Sequence, residues 1–190
     1  MVTRKDFLKN CAAAVCTAGM CGRAHAQEAN ASEDVSQKCN PGELTEIRNR
    51  SDAASLRFGK MIELVQDRLP EQDRKDLLHA LGGKCADTYR STIIDRYKGN
   101  LEGFLEEGRR LWMAEAHYDK AAGTIRIVDK SPTCSCPMVK QGSMPGSFCD
   151  CTLGWQEEAY STILGRPVKS ELEESILRGS YRCVYRIKIL

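Results

Sequence analysis

Two Cys-x-Cys pairs constrain this chain more than any other feature. Cys134-Ser135-Cys136-Pro137 and Cys149-Asp150-Cys151 are separated by twelve residues. Chance rarely sets two such pairs so close, so a fold for this chain must give four sulfurs a purpose. Structural zinc takes four ligands in a tetrahedron, and thiolates satisfy it. Cys149 and Cys151 fall at a predicted helix N-terminus, where free N–H groups and the helix dipole favour thiolate. Cys136-Pro137 fixes a loop that approaches from another direction. Cys183 lies on the inward face of the predicted last strand. A zinc ion or an iron–sulfur cluster would therefore draw on Cys134, Cys136, Cys149, Cys151 and Cys183. Structural disulfides and free or redox-active thiols are the competing readings. A disulfide inside one Cys-x-Cys closes a strained ring and suits redox chemistry better than stapling.

The N-terminus bears on that choice. Arg4, Lys5 and Lys9 form a positive segment, an apolar and small run follows from Cys11 to Cys21, and Ala24-His25-Ala26 reads as a cleavage site. Residues 1–26 are thus expected to be an export signal, with Gln27 as the new N-terminus. Thr3 to Lys9 resembles the twin-arginine motif, with Lys5 in place of the second arginine. The apolar run is too short for a comfortable membrane span. A periplasmic or extracellular destination is oxidising and favours disulfides. Signal removal leaves seven cysteines (Cys39, Cys85, Cys134, Cys136, Cys149, Cys151 and Cys183), an odd number that strands one thiol. It also leaves 24 basic against 25 acidic residues, a net charge of −1. Nothing in that balance calls for nucleic acid.

Residues 27–42 are polar, end in Pro41-Gly42 and read as a flexible leader to a single domain over 43–190. Leu44, Ile47, Ser51, Ala54, Phe58, Met61 and Val65 step by three or four, which predicts one apolar helix face. Leu69-Pro70 breaks that helix. A second is expected over 71–81, ended by Gly82-Gly83, a third over 85–97 and a fourth ending near Leu111. The period then changes. A hairpin is predicted over 112–119 and 123–129, a loop over 130–148, a helix over 150–164 stopped by Gly165, and strands over 166–174 and 181–189. In the last, Cys183, Tyr185, Ile187 and Ile189 point one way. The fold class is α+β, with N-terminal helices packed on a mainly antiparallel C-terminal sheet and one helix intervening.

The remaining candidates are few. Cys85 follows Gly82-Gly83 and is the candidate nucleophile of a cysteine enzyme. Trp155, Tyr185 and His117 are candidate pocket residues. His79 reads as a surface or core-edge residue, and Glu157 and Glu158 as solvated. No nucleophile elbow, phosphate loop, dinucleotide fingerprint or zinc-protease motif occurs.

Taken together, several segments have a familiar order. They are Cys134-x-Cys136-Pro137, Cys149-x-Cys151, Gly154-Trp155, Gly165-Arg166-Pro167-Val168 with Glu171, Ser175-Ile176, Gly179 and Arg182-Cys183-Val184-Tyr185-x-Ile187. This order resembles the 4-vinyl-reductase-like small-molecule-binding domain and the aminothiazoline-carboxylate hydrolase-like proteins, over roughly residues 112–189. Gly82-Gly83-x-Cys85 is a further match. The resemblance implies a buried apolar pocket, with zinc beside it held by cysteines and an acidic residue. Cys151 and Cys183 match those ligands best, with Cys136 and Cys149 next. The chain departs from the pattern by doubling its cysteines and by its export signal. The expectation is an exported domain binding a small molecule beside a cysteine-held metal. A hydrolase of a small cyclic or thiol-derived substrate, a thiol oxidoreductase and a disulfide-stapled structural domain are the alternatives.

Overall fold

Alternation of period two builds the sheet as expected. β4 (Val184–Ile189) buries Tyr185, Ile187 and Ile189 and exposes Arg186 and Lys188. It joins β1 (Met113–Asp119), β2 (Thr124–Asp129) and β3 (Val168–Glu174) in the order β1-β2-β4-β3, with every pair antiparallel. The register sets Ile125 opposite Ile187 and Ile127 opposite Tyr185, so one face carries the apolar residues. The β1–β2 hairpin closes where the Asp119 carboxylate accepts the N–H groups of Ala121 and Ala122, at 2.9 and 3.0 Å. Gly123 completes the turn at φ 62°.

The outer face is held by charge. Arg126 and Arg186 are directly opposite, an unfavourable like-charge pair. A bulge between Leu172 and Glu174 presents Glu173 to both, and it accepts from Arg126 Nε at 2.8 Å and Arg186 Nε at 2.6 Å. Desolvation opposes ionisation of Glu173, but these bonds outweigh it and hold its carboxyl below the usual range.

These elements come from a computed structural model that describes residues 41–140 and 142–190. The expected signal over 1–26, the leader over 27–40 and Cys39 lie outside the described residues. Gly42–Leu190 forms one compact unit. Its helices are α1 (Pro41–Arg68), α2 (Glu71–Asp87), α3 (Leu101–Leu111) and α4 (Asp150–Leu164). Helices precede the sheet and α4 intervenes between β2 and β3, so the fold class is α+β. Among the described residues, no helix is long and apolar enough to cross a membrane.

Two local expectations are corrected. Gly82-Gly83 does not end a helix: α2 runs through both to Asp87, followed by a π turn (Arg90–Ile94) and a 3-10 turn (Asp95–Tyr97). The reason is tertiary. A Cβ on Gly82 would lie 1.8 Å from the Cys151 carbonyl oxygen, and one on Gly154 would lie 1.8 Å from that of His79. The glycines let α2 and α4 meet backbone to backbone, and that contact outweighs their poor helix propensity.

The second correction concerns α1. It buries Ser55, Gly59 and Ile62, while Leu44 and Ile47 are 49% and 61% exposed. Residues 42–51 are exposed throughout. The later turns pack against the rest of the fold. Gly59 sits under the Ser143 carbonyl, and Phe58 stacks edge-on with Phe148 at 5.4 Å. Ile62, Leu78, Met144 and Phe148 form a small cluster there, apart from the main core of α3, α4 and the sheet.

The helix crossing predicts opposite outcomes for neighbouring glycines. Gly154→Ala is expected to lower the unfolding free energy by about 1–3 kcal/mol through overpacking. A Cβ on Gly83 meets nothing within 4 Å. Gly83→Ala is therefore expected to be neutral or to stabilise by up to about 1 kcal/mol. Urea denaturation midpoints check both. Equal loss in the two variants would contradict the crossing.

Candidate functional site

The end of β2 carries the most unusual group in the core. Ile125, Ile127 and Asp129 share the inward face by alternation, so a carboxyl enters where an aliphatic side chain would be expected. Asp129 is 8% exposed. Its N–H donates to the Cys183 carbonyl at 3.0 Å, and its Oδ2 accepts the Ser135 hydroxyl at 3.2 Å. Desolvation pushes its carboxyl up to about 6 against that hydrogen bond.

Facing Asp129 are two tyrosines. Tyr160 on α4 is 0% exposed and stacks edge-on with Phe104 at 5.4 Å. Among the described residues, its hydroxyl has no hydrogen-bond partner. Tyr185 on β4 lies beside the Cys183 sulfur. Both hydroxyls are held well above the ordinary tyrosine range, first by burial and then by the charge of Asp129. Gln156, one helical turn before Tyr160, is 7% exposed and its Oε1 is also unpartnered. Asp129, Gln156, Tyr160 and Tyr185 thus make a polar island in an otherwise apolar core. An unpaired buried polar atom costs about 1–3 kcal/mol, so two here mark a place built for something besides stability.

The cysteines border this island in two groups. Cys134, Cys149 and Cys183 interact electrostatically with one another, as do Cys85, Cys136 and Cys151. Yet among the described residues, no group of three or more His, Cys, Asp or Glu side chains is placed to hold a metal ion. The set expected from Cys134, Cys136, Cys149, Cys151 and Cys183 is gathered in one region but not arranged as ligands. The reason is that each sulfur is directed by its own element. Cys149 Sγ pairs with the Ser175 hydroxyl at 3.0 Å, whereas Cys136 and Cys151 pack on the Ile62–Phe148 cluster.

All six described cysteines are free, so disulfides do not staple this region. Burial pushes Cys134 and Cys151 up to about 12 and raises Cys85, Cys136 and Cys149. Backbone N–H groups of Met138 and Val139 beside Cys136 offset part of that effect, as do Ser175 and Arg178 beside Cys149. Cys85 sits in the last turn of α2, not at a helix start. The negative end of the dipole and burial both oppose thiolate there.

The other candidates separate. Trp155 is half-buried against Tyr89, with ring centroids 6.3 Å apart. His117 is exposed on the outer face opposite Arg126, away from the island. Glu157, expected to be solvated, ties three elements together. Its Oε2 pairs with His79 Nε2 at 2.9 Å, and its Oε1 accepts the Ser170 N–H at 2.9 Å and meets Lys169 Nζ at 3.2 Å. Asp129, Gln156 and Tyr160 are not among the residues expected from the sequence; the signals that point to them are the alternation of β2 and the i, i+4, i+7 spacing of Gln156, Tyr160 and Ile163 on one helix face. Their lack of partners was not legible.

Two open depressions lie elsewhere. One of about 500 Å³ runs along α1 beside Glu46, Arg50 and Arg57. One of about 330 Å³ sits on the outer sheet face among Glu115, Arg126, Tyr181 and Arg182.

No family model matches the chain, and no curated protein does. The resemblance to 4-vinyl-reductase-like proteins therefore has no matching family behind it. Solved structures do match. A trafficking protein particle complex subunit 3 from Naegleria fowleri, covalently bound to palmitic acid, superposes with a TM-score of 0.52 at 13% identity. The match covers 75% of this chain and 96% of that one. The phenol-responsive sensory domain of the transcription activator PoxR, with phenol, gives 0.44 at 17% identity, covering 71% and 74%. The first likeness establishes a shared fold.

The buried carboxyl generates a signed prediction. The folded state binds an extra proton between the ordinary Asp range near pH 4 and about 6. Its contribution therefore makes stability fall as pH rises through that window. Asp129→Asn, which keeps an acceptor for Ser135, is expected to raise stability at pH 7 by roughly 2 kcal/mol and to flatten that slope. Thermal unfolding from pH 4 to 7 measures it. An unchanged slope would mean that Asp129 ionises normally.

Proposed function

We propose that this chain is a small-molecule-binding domain whose guest lodges at the island of Asp129, Gln156, Tyr160 and Tyr185. The observation that carries this reading is the Tyr160 hydroxyl, fully buried and without a partner. A guest with a hydrogen-bonding group would satisfy it and displace no existing bond. The aromatic surround of Phe104, Trp112 and Tyr97, with centroids 5.8 Å apart in successive pairs, offers apolar contact to a ring or short chain. The trafficking subunit of the same fold carries palmitic acid, which adds to the case for a guest.

The enzyme alternative has less support. A hydrolase or thiol oxidoreductase working through Cys85 needs an accessible thiolate, and burial works against one. Among the described residues, no group of three or more His, Cys, Asp or Glu side chains supports the zinc or iron–sulfur reading. Export remains part of the proposal on the strength of residues 1–26. Intact mass of the protein recovered from its producing cell, after alkylation without denaturant, tests both points. A chain starting at Gln27 with Cys134 and Cys151 unmodified at pH 7 is expected. Rapid alkylation of Cys85 under those conditions would favour the enzyme.

Binding is tested with a calorimetric panel of small aromatic and aliphatic compounds. At least one compound is expected to bind, and Tyr160→Phe is expected to weaken it by about 3–10-fold, the worth of one hydrogen bond. Unchanged affinity in that variant would place the guest elsewhere.

A further inference from the structure

We propose that the guest is a small protonated amine, its ammonium group paired with Asp129. This rests on the island being the binding site. The argument is one of charge and donor count. Among the described residues, Asp129 forms no ion pair, and its recorded side-chain bond comes from the neutral Ser135 hydroxyl. The nearest cations by sequence and contact are committed elsewhere. Lys130 turns its ammonium to the carbonyls of Arg109 and Arg110, the latter at 3.1 Å. Arg178, from the turn that follows β3, spans the Asp150 carboxylate at 2.7 Å and the Gly146 carbonyl at 3.0 Å. The remaining neighbours are Tyr160 from α4, Tyr185 and Cys183 from β4, and Ser135 from the loop. None of them supplies a positive charge.

The island therefore lacks a counter-charge: its tyrosine hydroxyls and the Gln156 amide can donate or accept, but none of them neutralises a carboxylate. Asp129 offers carboxylate oxygens, Gln156 an unpartnered Oε1 and Tyr160 an unpartnered hydroxyl oxygen. An ammonium carries three donors, no acceptor and one positive charge, which complements that set. A neutral alcohol or phenol brings a single donor and leaves the carboxyl without a counter-charge. A carboxylate guest would place like charges together in a poorly solvated site. Access runs past Ser135, which is exposed while its hydroxyl covers Asp129, so the carboxyl lies just beneath the surface. That shallow placement suits a compact guest.

Three isosteres resolve the matter by calorimetry on the full chain: benzylamine, benzyl alcohol and benzoate. Benzylamine is expected to bind at least about tenfold more tightly than benzyl alcohol, with benzoate weakest. Asp129→Asn is expected to erase the preference for the amine and leave the alcohol's affinity little changed. Equal binding of amine and alcohol in the wild type, with Tyr160→Phe weakening both, would overturn the amine and keep the island as the site. Binding of benzyl alcohol unaffected by either substitution would overturn the island and the amine together, as would no binding of any probe at millimolar concentration.

Discussion

The backbone contact between α2 and α4 governs what this molecule can present. Gly82 and Gly154 remove two side chains where the helices meet, and each backbone then approaches the other's carbonyls. That contact fixes the rotation of α4 about its axis. Once it is fixed, Gly154 faces α2, Trp155 meets Tyr89, and Gln156 and Tyr160 are buried toward the core. Glu157 reaches His79 and β3 from the same helix. A helix is a rigid body on this scale, so one close contact determines the direction of every side chain along it. The polar island and the Glu157 clasp are two consequences of one packing choice.

Polar groups in this core divide into satisfied and unsatisfied sets. Glu157 and Glu173 are ringed by donors, and their carboxyls are held below the ordinary range despite partial burial. Asp129 has one neutral partner, and its carboxyl rises to about 6. The same carboxyl group is thus a clamp in one place and an open valence in another, decided by the donors around it. The thiols follow the same logic. Burial at the edge of the core, with few donors nearby, raises the thiols of Cys85, Cys134, Cys136, Cys149 and Cys151.

Much of the architecture could be read from residue order. The strand period around Cys183 to Ile189, the stop at Gly165 and the hairpin turn just before β2 all act through neighbours a few residues away. Local rules therefore sufficed for them. At the start of α3 the Asn100 side-chain Oδ1 accepts the Gly103 N–H at 3.0 Å. The cysteines were the most visible feature and the least reliable guide. Spacing gathers sulfurs in sequence, but a ligand set needs directions in space, and those come from how β2, α4 and β4 are oriented. Gly82-Gly83 misled for a related reason. The same residue that ends an isolated helix is required inside one that meets another backbone.

The sequence alone determined that helices precede an antiparallel sheet with one helix intervening, the inward face of the last strand and the clustering of cysteines between residues 134 and 183. These follow from short-range periodicity and backbone preference. Only the tertiary structure decided which polar atoms would be left unpaired. That property belongs to no single residue: Tyr160 lacks a partner because of what β2, β4 and the Ser135 loop place around it, and burial then turns the missing partner into a free-energy deficit that a guest can relieve.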